Sequence, residues 1–422
     1  MGPMPLLLGL AFILSGVLAN AATDTPAMPD STAEHVHPLL PSENLNLREV
    51  LETTYTRYPY LQSIQAHAVE AQALRQHASG LMPDNAALSL SYFNDRPASD
   101  QGMEEWEAGV DIPLWLPGQK KARTSLAKSA DASSTAAAQA LKLKVAGEVR
   151  DTLWMLAKQD NERTLAKQAW QAAQLLEKDV DRRFQAGELA RSDLMLAQEE
   201  TLLKHDAYLL ADAELKHAQQ RYMALTGLTN YPAIFTESRS PKTEIEASHP
   251  ALTATQTLVE QAMAQARLVR EESRDNPELT IGARRERGMT GEDYIDSLGI
   301  GVRLPFDSGK RSAARQAGAQ RTLAEAEAQR DTLKRELLLN LHEAEHLLAI
   351  SERELTLSEK RNHIAQDALR MAQIAFKAGE IDLADLVRIQ TRAFAAEHSL
   401  SRIRLQLQHN IANYNQAVGE LP

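Results

Sequence analysis

Two hydrophobic rhythms alternate along this chain. In residues 86–93, Leu88, Leu90 and Tyr92 oppose Ser89 and Ser91, and in 105–114 Trp106, Ala108, Val110 and Ile112 oppose Glu105, Glu107, Gly109 and Asp111. In 294–304, Leu298, Ile300, Val302 and Leu304 oppose Ser297, Gly299, Gly301 and Arg303. A fourth segment, 278–287 (ELTIGARRER), alternates least. A period of two is that of a β-strand, so the pattern predicts two β-hairpins, 86–114 and 278–304. Elsewhere apolar residues recur three and four apart, as in Leu165, Ala169, Ala172, Leu176, Val180 and Phe184, and in Leu333, Leu337, Leu341, Ala344 and Leu348. That spacing predicts long helices over 119–186 and 310–378, each about 100 Å long at a rise of about 1.5 Å per residue. Their apolar stripe is narrow and rich in Ala, which suits helices packed side by side in a layer.

The punctuation agrees with this reading. No proline interrupts the 114 residues between Pro117 and Pro232, or the 116 between Pro305 and Pro422. Proline is the residue that most reliably stops a helix, so each tract holds one helical hairpin. Gly187 and Gly379 are placed to end the outgoing helices in left-handed turns, after which the chain returns along 189–225 and 381–418.

The two halves are copies. A shift of 192 residues lays Pro113 on Pro305, Phe184 on Phe376, Gly187 on Gly379, Asp193-Leu194 on Asp385-Leu386, Gln198 on Gln390, Tyr222 on Tyr414 and Gly227 on Gly419. Matches in constant order at constant spacing mark a tandem duplication. The domain map that follows is a signal peptide over 1–21, a mobile lead over 22–46, a first repeat over 47–230, a linker over 231–249 and a second repeat over 250–422. Each repeat comprises a helix (from Leu47, restarting after Pro59, to about Gly80, or from Pro250 to about Asp275), a β-hairpin (86–114 or 278–304) and a long helical hairpin (119–226 or 310–418).

Composition narrows the function. Residues 6–18 form an apolar run followed by Ala19-Asn20-Ala21, a small-x-small cleavage pattern, although no Lys or Arg precedes Arg48. The run is short for a bilayer span, and no later stretch approaches 18 apolar residues. With no cysteine, disulfides, Cys-ligated zinc and thiol catalysis are excluded. A net charge of −11 makes a poor nucleic-acid binder. Aromatic residues are only 5% of the chain, yet Tyr92, Phe93, Trp106, Trp115, Tyr294 and Phe306 gather at the strand ends. Aromatics there fit the interfacial girdle of a membrane β-sheet, whereas local alternation alone fits a soluble sheet equally well. Four membrane strands cannot close a barrel, because the smallest closed barrels have about eight. The membrane reading therefore requires several copies, and three would give twelve strands.

The signal peptide, the duplication, the strand pairs and the proline-free helices together resemble the TolC-type outer-membrane efflux factor family. So do the tip motifs Arg183-Phe184-Gln185-Ala186-Gly187 through Ser192-Asp193-Leu194 and Ala375-Phe376-Lys377-Ala378-Gly379 through Asp385-Leu386-Val387. The strand exits Ile112-Pro113-Leu114-Trp115-Leu116-Pro117-Gly118 and Leu304-Pro305-Phe306-Asp307-Ser308-Gly309 add to the set, which covers about residues 47–420. The resemblance implies a mainly α fold with a membrane β-barrel: a homotrimeric 12-stranded barrel in outer-membrane lipid, continued by an α-helical barrel in the periplasm. It implies an efflux duct without catalysis, cofactor or resident metal, served by a periplasmic adaptor and an inner-membrane pump. Heavy-metal cations are among the cargoes it suggests. The tip residues it assigns to gate and adaptor docking are Phe184, Gly187, Ser192, Asp193, Phe376, Gly379, Asp382, Asp385 and Arg388. The girdle is Tyr92, Trp106, Trp115, Tyr294 and Phe306.

Simpler readings compete with these. Asp193 and Asp385 fall in first helical turns, where a carboxylate satisfies free N–H groups and the helix dipole. Asp382 and Asp385 lie three apart, on one helical face by their spacing, so a trimer would present six carboxylates at its mouth, and Arg388, three further on, is placed to pair with Asp385. His342-Glu343-Ala344-Glu345-His346 matches the zinc-protease string H-E-x-x-H, but on a charged helix without a surrounding domain. His35 and His37 in the lead are candidates for transient metal contact. A periplasmic coiled-coil adaptor would share the hairpins without needing the strands, and a zinc hydrolase would need metal at His342 and His346.

Overall fold

A computed structural model describes residues 39–306 and 310–422. The proposed signal peptide, most of the lead with His35 and His37, and the exit residues Asp307-Ser308-Gly309 lie outside the described residues. The elements in order are β1 (Leu40–Ser42), α1 (Leu47–Arg57), α2 (Leu61–Ser79), β2 (Ala87–Asn94), β3 (Glu104–Pro113), α3 (Gln119–Gln185) and α4 (Arg191–Thr226). They continue with β4 (Asn230–Pro232), α5 (Pro250–Glu271), β5 (Glu278–Arg287), β6 (Ile295–Arg303), α6 (Lys310–Lys377) and α7 (Leu383–Ala417). Helices α3 and α6 have 67 and 68 residues.

The four predicted strands form one antiparallel sheet in the order β2-β3-β5-β6. Even the charged segment β5 is a full strand, because its polar end is paired on both sides. Arg284 bonds Glu105 at 2.7 Å, Arg287 bonds Glu104 at 3.2 Å, and Arg285 holds Asp296 through two bonds of 2.8 and 3.1 Å. Two details depart from the sequence reading. Residues 40–42, inside the supposed lead, make β1, which pairs in parallel with β4 at the start of the linker. Helix α5 stops at Glu271 rather than near Asp275, since Pro277 biases the preceding backbone away from helix.

The helical layer is tied where the linker crosses it. Val50, Leu51, Val145, Val149, Leu153 and Tyr222 bury one apolar cluster among α1, α3 and α4. The duplicated tyrosines anchor the chain in equivalent ways. The Tyr222 hydroxyl donates to the Asn230 carbonyl at 3.0 Å, and the Tyr414 hydroxyl donates to the Lys242 carbonyl. Between them lies Arg150, only 1% exposed. It forks onto Glu237 at 2.8 and 2.6 Å, and reaches Gln416 Oε1 at 2.7 Å and the Glu420 carbonyl at 3.1 Å. Asn415 completes the knot by accepting from the Ser240 amide at 2.8 Å and donating to the Ser238 carbonyl at 2.9 Å. Helix α3, the linker and the end of α7 are thereby joined by one buried guanidinium.

Removing one partner of such a pair strands the other charge. Arg150→Leu should lower stability by about 3–5 kcal/mol, with part recovered in Arg150→Leu/Glu237→Leu, as read by thermal unfolding in detergent. A single variant as stable as the parent would show that the fork is dispensable.

His249, 3% exposed, precedes α5 and has no hydrogen-bond partner at either ring nitrogen. Burial pushes its pKa below 6.5; the Lys242 charge adds to this and the nearby Ala417 backbone opposes it. The unfolded chain therefore takes up a proton at a pH where the folded chain does not. The linked stability is complete above about pH 6.5 and is lost as pH falls from there toward the lower folded value. His249→Gln should flatten this part of the melting profile between pH 8 and 5 relative to the parent, and coincident profiles would remove His249 as its source.

Candidate channel gate and membrane strands

Both outgoing helices end in the same hydrogen-bond pattern. Gly187 N–H donates to the Phe184 carbonyl and Glu188 N–H to the Arg183 carbonyl, both at 2.9 Å; Gly379 and Glu380 repeat this on Phe376 and Ala375 at 3.1 and 2.9 Å. This Schellman closure needs a left-handed residue, and the two glycines have φ of 79° and 75°. Beneath the turns, Val180, Ala197, Ala372, Phe376, Leu383 and Leu386 bury a small apolar cluster drawn from all four long helices. Arg183 lies over the Phe376 ring, 5.0 Å from its centroid, and pairs with Asp179 at 3.4 Å. Phe184 is half-buried, and Ser192 is exposed on the first turn of α4.

The acidic tip residues divide their roles. Asp193 accepts from the Ala190 N–H at 3.1 Å, as expected of a first-turn carboxylate. Asp382 is not on a helical face with Asp385: it is the N-cap of α7, in extended backbone, and accepts from the Asp385 N–H at 2.7 Å. The Asp385 carboxylate pairs with Arg388, and both side chains are exposed. The tip thus brings Asp382, Asp385 and Arg388 together on the second hairpin, while the first hairpin sets Asp193 near Glu188 and Arg191 in sequence.

Between the tip and the linker knot, the two hairpins meet through polar pairs that sequence reasoning missed. His398 pairs with Glu162, Ser401 with Asn161, and His409 with Asp151 at 3.0 Å. Lys158 reaches Gln406 at 3.0 Å and His409 at 2.9 Å, and burial pushes its pKa down. These partners are 236 or more positions apart, so no local pattern announces them.

The sheet separates its chemistry by face. Register puts Leu88, Val110, Ile281 and Ile300 in one row and Leu90, Ala108, Ala283 and Leu298 in the next, all on one side. The row beyond holds Tyr92, Trp106 and the Arg285–Asp296 pair, with the Tyr92 and Trp106 rings 4.3 Å apart. Tyr294 follows at the same end and donates to Glu104 at 2.7 Å. Trp115 and Phe306 mark the opposite end: Trp115 Nε1 donates to the Leu81 carbonyl at 2.9 Å, and Phe306 is 96% exposed. Phe93 departs from the expected girdle, since its register with Glu105 turns it to the other side. That side carries Glu105, Glu107, Asp111, Glu278 and Glu286 against Arg284 and Arg303, five acids to two bases. Its middle row is Ser89, Gly109, Gly282 and Gly299. Among the described residues no helix is long and apolar enough to cross a membrane.

The family described as outer membrane efflux protein matches residues 243–420. The match spans most of the second repeat and does not extend into the first. The duplication carries the same arrangement of elements into the first half. Solved structures of similar fold include the outer membrane protein VceC of Vibrio cholerae, with a TM-score of 0.71 and 16% identity over 89% of this chain and 96% of that one. CusC aligns with a TM-score of 0.73 and 14% identity over 89% and 92%, and the CmeC outer membrane channel of Campylobacter jejuni with 0.71 and 16% over 88% and 85%. Identities this low carry the fold. No sequence among curated proteins matches the chain. The fold is that of solved outer-membrane channels, in agreement with the fold that the resemblance implied.

Loss of the Asp382 cap should loosen the start of α7 without unfolding the chain. Asp382→Ala should cost about 0.5–2 kcal/mol and speed amide exchange at residues 383–387, while Asp382→Asn should leave it nearly unchanged. Equal exchange in both variants would dismiss the cap.

Proposed function

We propose that the protein is the outer-membrane channel component of a tripartite efflux system, a passive homotrimeric duct. Three copies contribute twelve strands to one barrel, and their helical hairpins continue its bore into the periplasm. A periplasmic adaptor docks at the helical tips and an inner-membrane pump supplies the cargo. The observation that carries this reading is the sheet itself. One face is apolar and ends in aromatics, the other is charged, every residue of β6 is exposed, and β2 and β6 have unpaired outer edges among the described residues. Such a sheet is satisfied by lipid on one side, water on the other, and copies of itself at its edges.

The polar face then lines the pore. Its excess of three carboxylates per chain, five acids less two bases, favours cations, and the Asp382–Asp385 pair at the tip adds to that field. Small solutes with a preference for cations, metal cations included, are the cargo this lining supports. A periplasmic adaptor would share the helical hairpins but has no use for a sheet left open on both faces.

Planar bilayers test the reading. The reconstituted protein should conduct and should favour K⁺ over Cl⁻; a preparation that inserts but never conducts would refute the channel. Asp382→Asn/Asp385→Asn keeps a capping side chain while deleting two charges, and should lower cation preference or raise leak. Unchanged reversal potential and leak would take the tip out of the gate.

A further inference from the structure

Eight of the ten histidines within the described residues are paired, stacked or buried. His67, His217 and His363 sit beside Glu70, Glu214 and Asp367 on their own helices. His398 and His409 bridge α3 and α7, His77 meets Arg123, His205 stacks on Trp170, and His249 is buried. The remaining two, His342 and His346 on α6, face each other. Their ring centroids are 6.5 Å apart at an interplanar angle of 37°, and neither residue is buried.

We propose that His342 and His346 form a two-imidazole site for a divalent transition-metal ion on α6. Residues four apart on a helix project from one face, which is how paired histidines bind zinc in helical motifs. A ring nitrogen binds such an ion at about 2.0–2.1 Å, which places the centroids of two imidazoles sharing one ion about 5 Å apart in tetrahedral geometry and about 6.4 Å apart when opposed. The observed 6.5 Å lies just beyond the wide end of this range, and side-chain rotations that bring the two exposed rings closer enter it. The helix beneath is fixed, because Leu341 and Ala344 are buried against Tyr414 and Val418. Holding the helix in place leaves only side-chain rotation to be lost on binding.

The ligand set defines the ion. Among the described residues no three metal-ligating side chains converge, so water completes the coordination. Imidazole selects copper, zinc or nickel over calcium and magnesium, which demand oxygen donors. Glu343 is drawn elsewhere: it lines a cleft with Leu143, Asn413 and Gln416. The site is thus one of binding, and the hydrolase implied by the H-E-x-x-H string gains no support from it.

Cu²⁺ is the probe. The full chain, purified in detergent without a histidine tag and carrying His35→Ala and His37→Ala, should show an electron paramagnetic resonance signal with coupling to two nitrogens, displaced by Zn²⁺. His342→Gln and His346→Gln should each abolish that two-nitrogen signal. Because changes to groups that merely support a metal ligand already cost about 10–100-fold in affinity, loss of a ligand itself should weaken binding by at least about tenfold. Glu343→Gln should leave signal and affinity unchanged. Retention of signal and affinity in either histidine variant would overturn the site. The readout is binding alone, so a failure here and a failure of conduction in bilayers are separately visible.

Discussion

A β-strand in hydrocarbon must have a hydrogen-bonded neighbour on both sides, and among the described residues β2 and β6 have one each. Water would satisfy the open edges of a soluble sheet, but lipid offers no donor or acceptor, at a cost of several kcal/mol for each exposed group. The side chains show which solvent the sheet is built for. Leu298 is 91% exposed and Ile300 79% exposed, and among the described residues no helix covers their face. A sheet with an uncovered apolar face and two open edges is half of an unfinished object. The long helices inherit the consequence, since whatever symmetry closes the strands also sets how neighbouring hairpins meet.

The helical part is held differently at its two ends than along its length. At the linker, Arg150, Tyr222 and Tyr414 bury hydrogen-bonded side chains among α3, α4, α7 and the connecting segment. At the tip, an apolar cluster joins all four helices. Between them, the α3–α7 seam rests on exposed or half-buried polar pairs such as His398–Glu162 and Ser401–Asn161. Pairs of this kind contribute little net stability because water competes for each partner, so the seam is the part of the hairpin contact that separates most cheaply.

Local chemistry made most of the fold legible in the sequence. Alternation located the strands within a residue or two, and proline and glycine bounded the helices, because these signals act through the backbone at the position where they occur. Strand β5 was the hardest to read, since its run of charges looks solvated until Glu104, Glu105 and Asp296 are brought alongside by neighbouring strands. The same limit hid Arg150, whose partner Glu237 lies 87 residues away. At the tip, residue types were readable but not their duties. Spacing alone could not distinguish Asp382 as a cap from Asp382 as a member of a helical face, because that depends on where the first helical turn begins.

The two tips show how a duplicated chain acquires asymmetry. Under the 192-residue shift, Ala190 corresponds to Asp382 and Leu196 to Arg388, while the turn glycines and Asp193/Asp385 are kept. The retained residues are those the turn geometry requires, as the matching hydrogen bonds at Gly187 and Gly379 make plain. The exchanged ones add a carboxylate and an arginine to the second tip, while Arg182, Arg183 and Arg191 of the first give way to Ile374, Ala375 and Leu383. In the proposed trimer, arginine-rich first tips would alternate around the mouth with second tips bearing Asp382 and Asp385. A ring of six identical tips would set like charges together at every contact, whereas alternation sets arginines of one tip beside carboxylates of the next. Divergence between the repeats thus permits a mouth held by unlike charges that still carries carboxylates able to attract a cation.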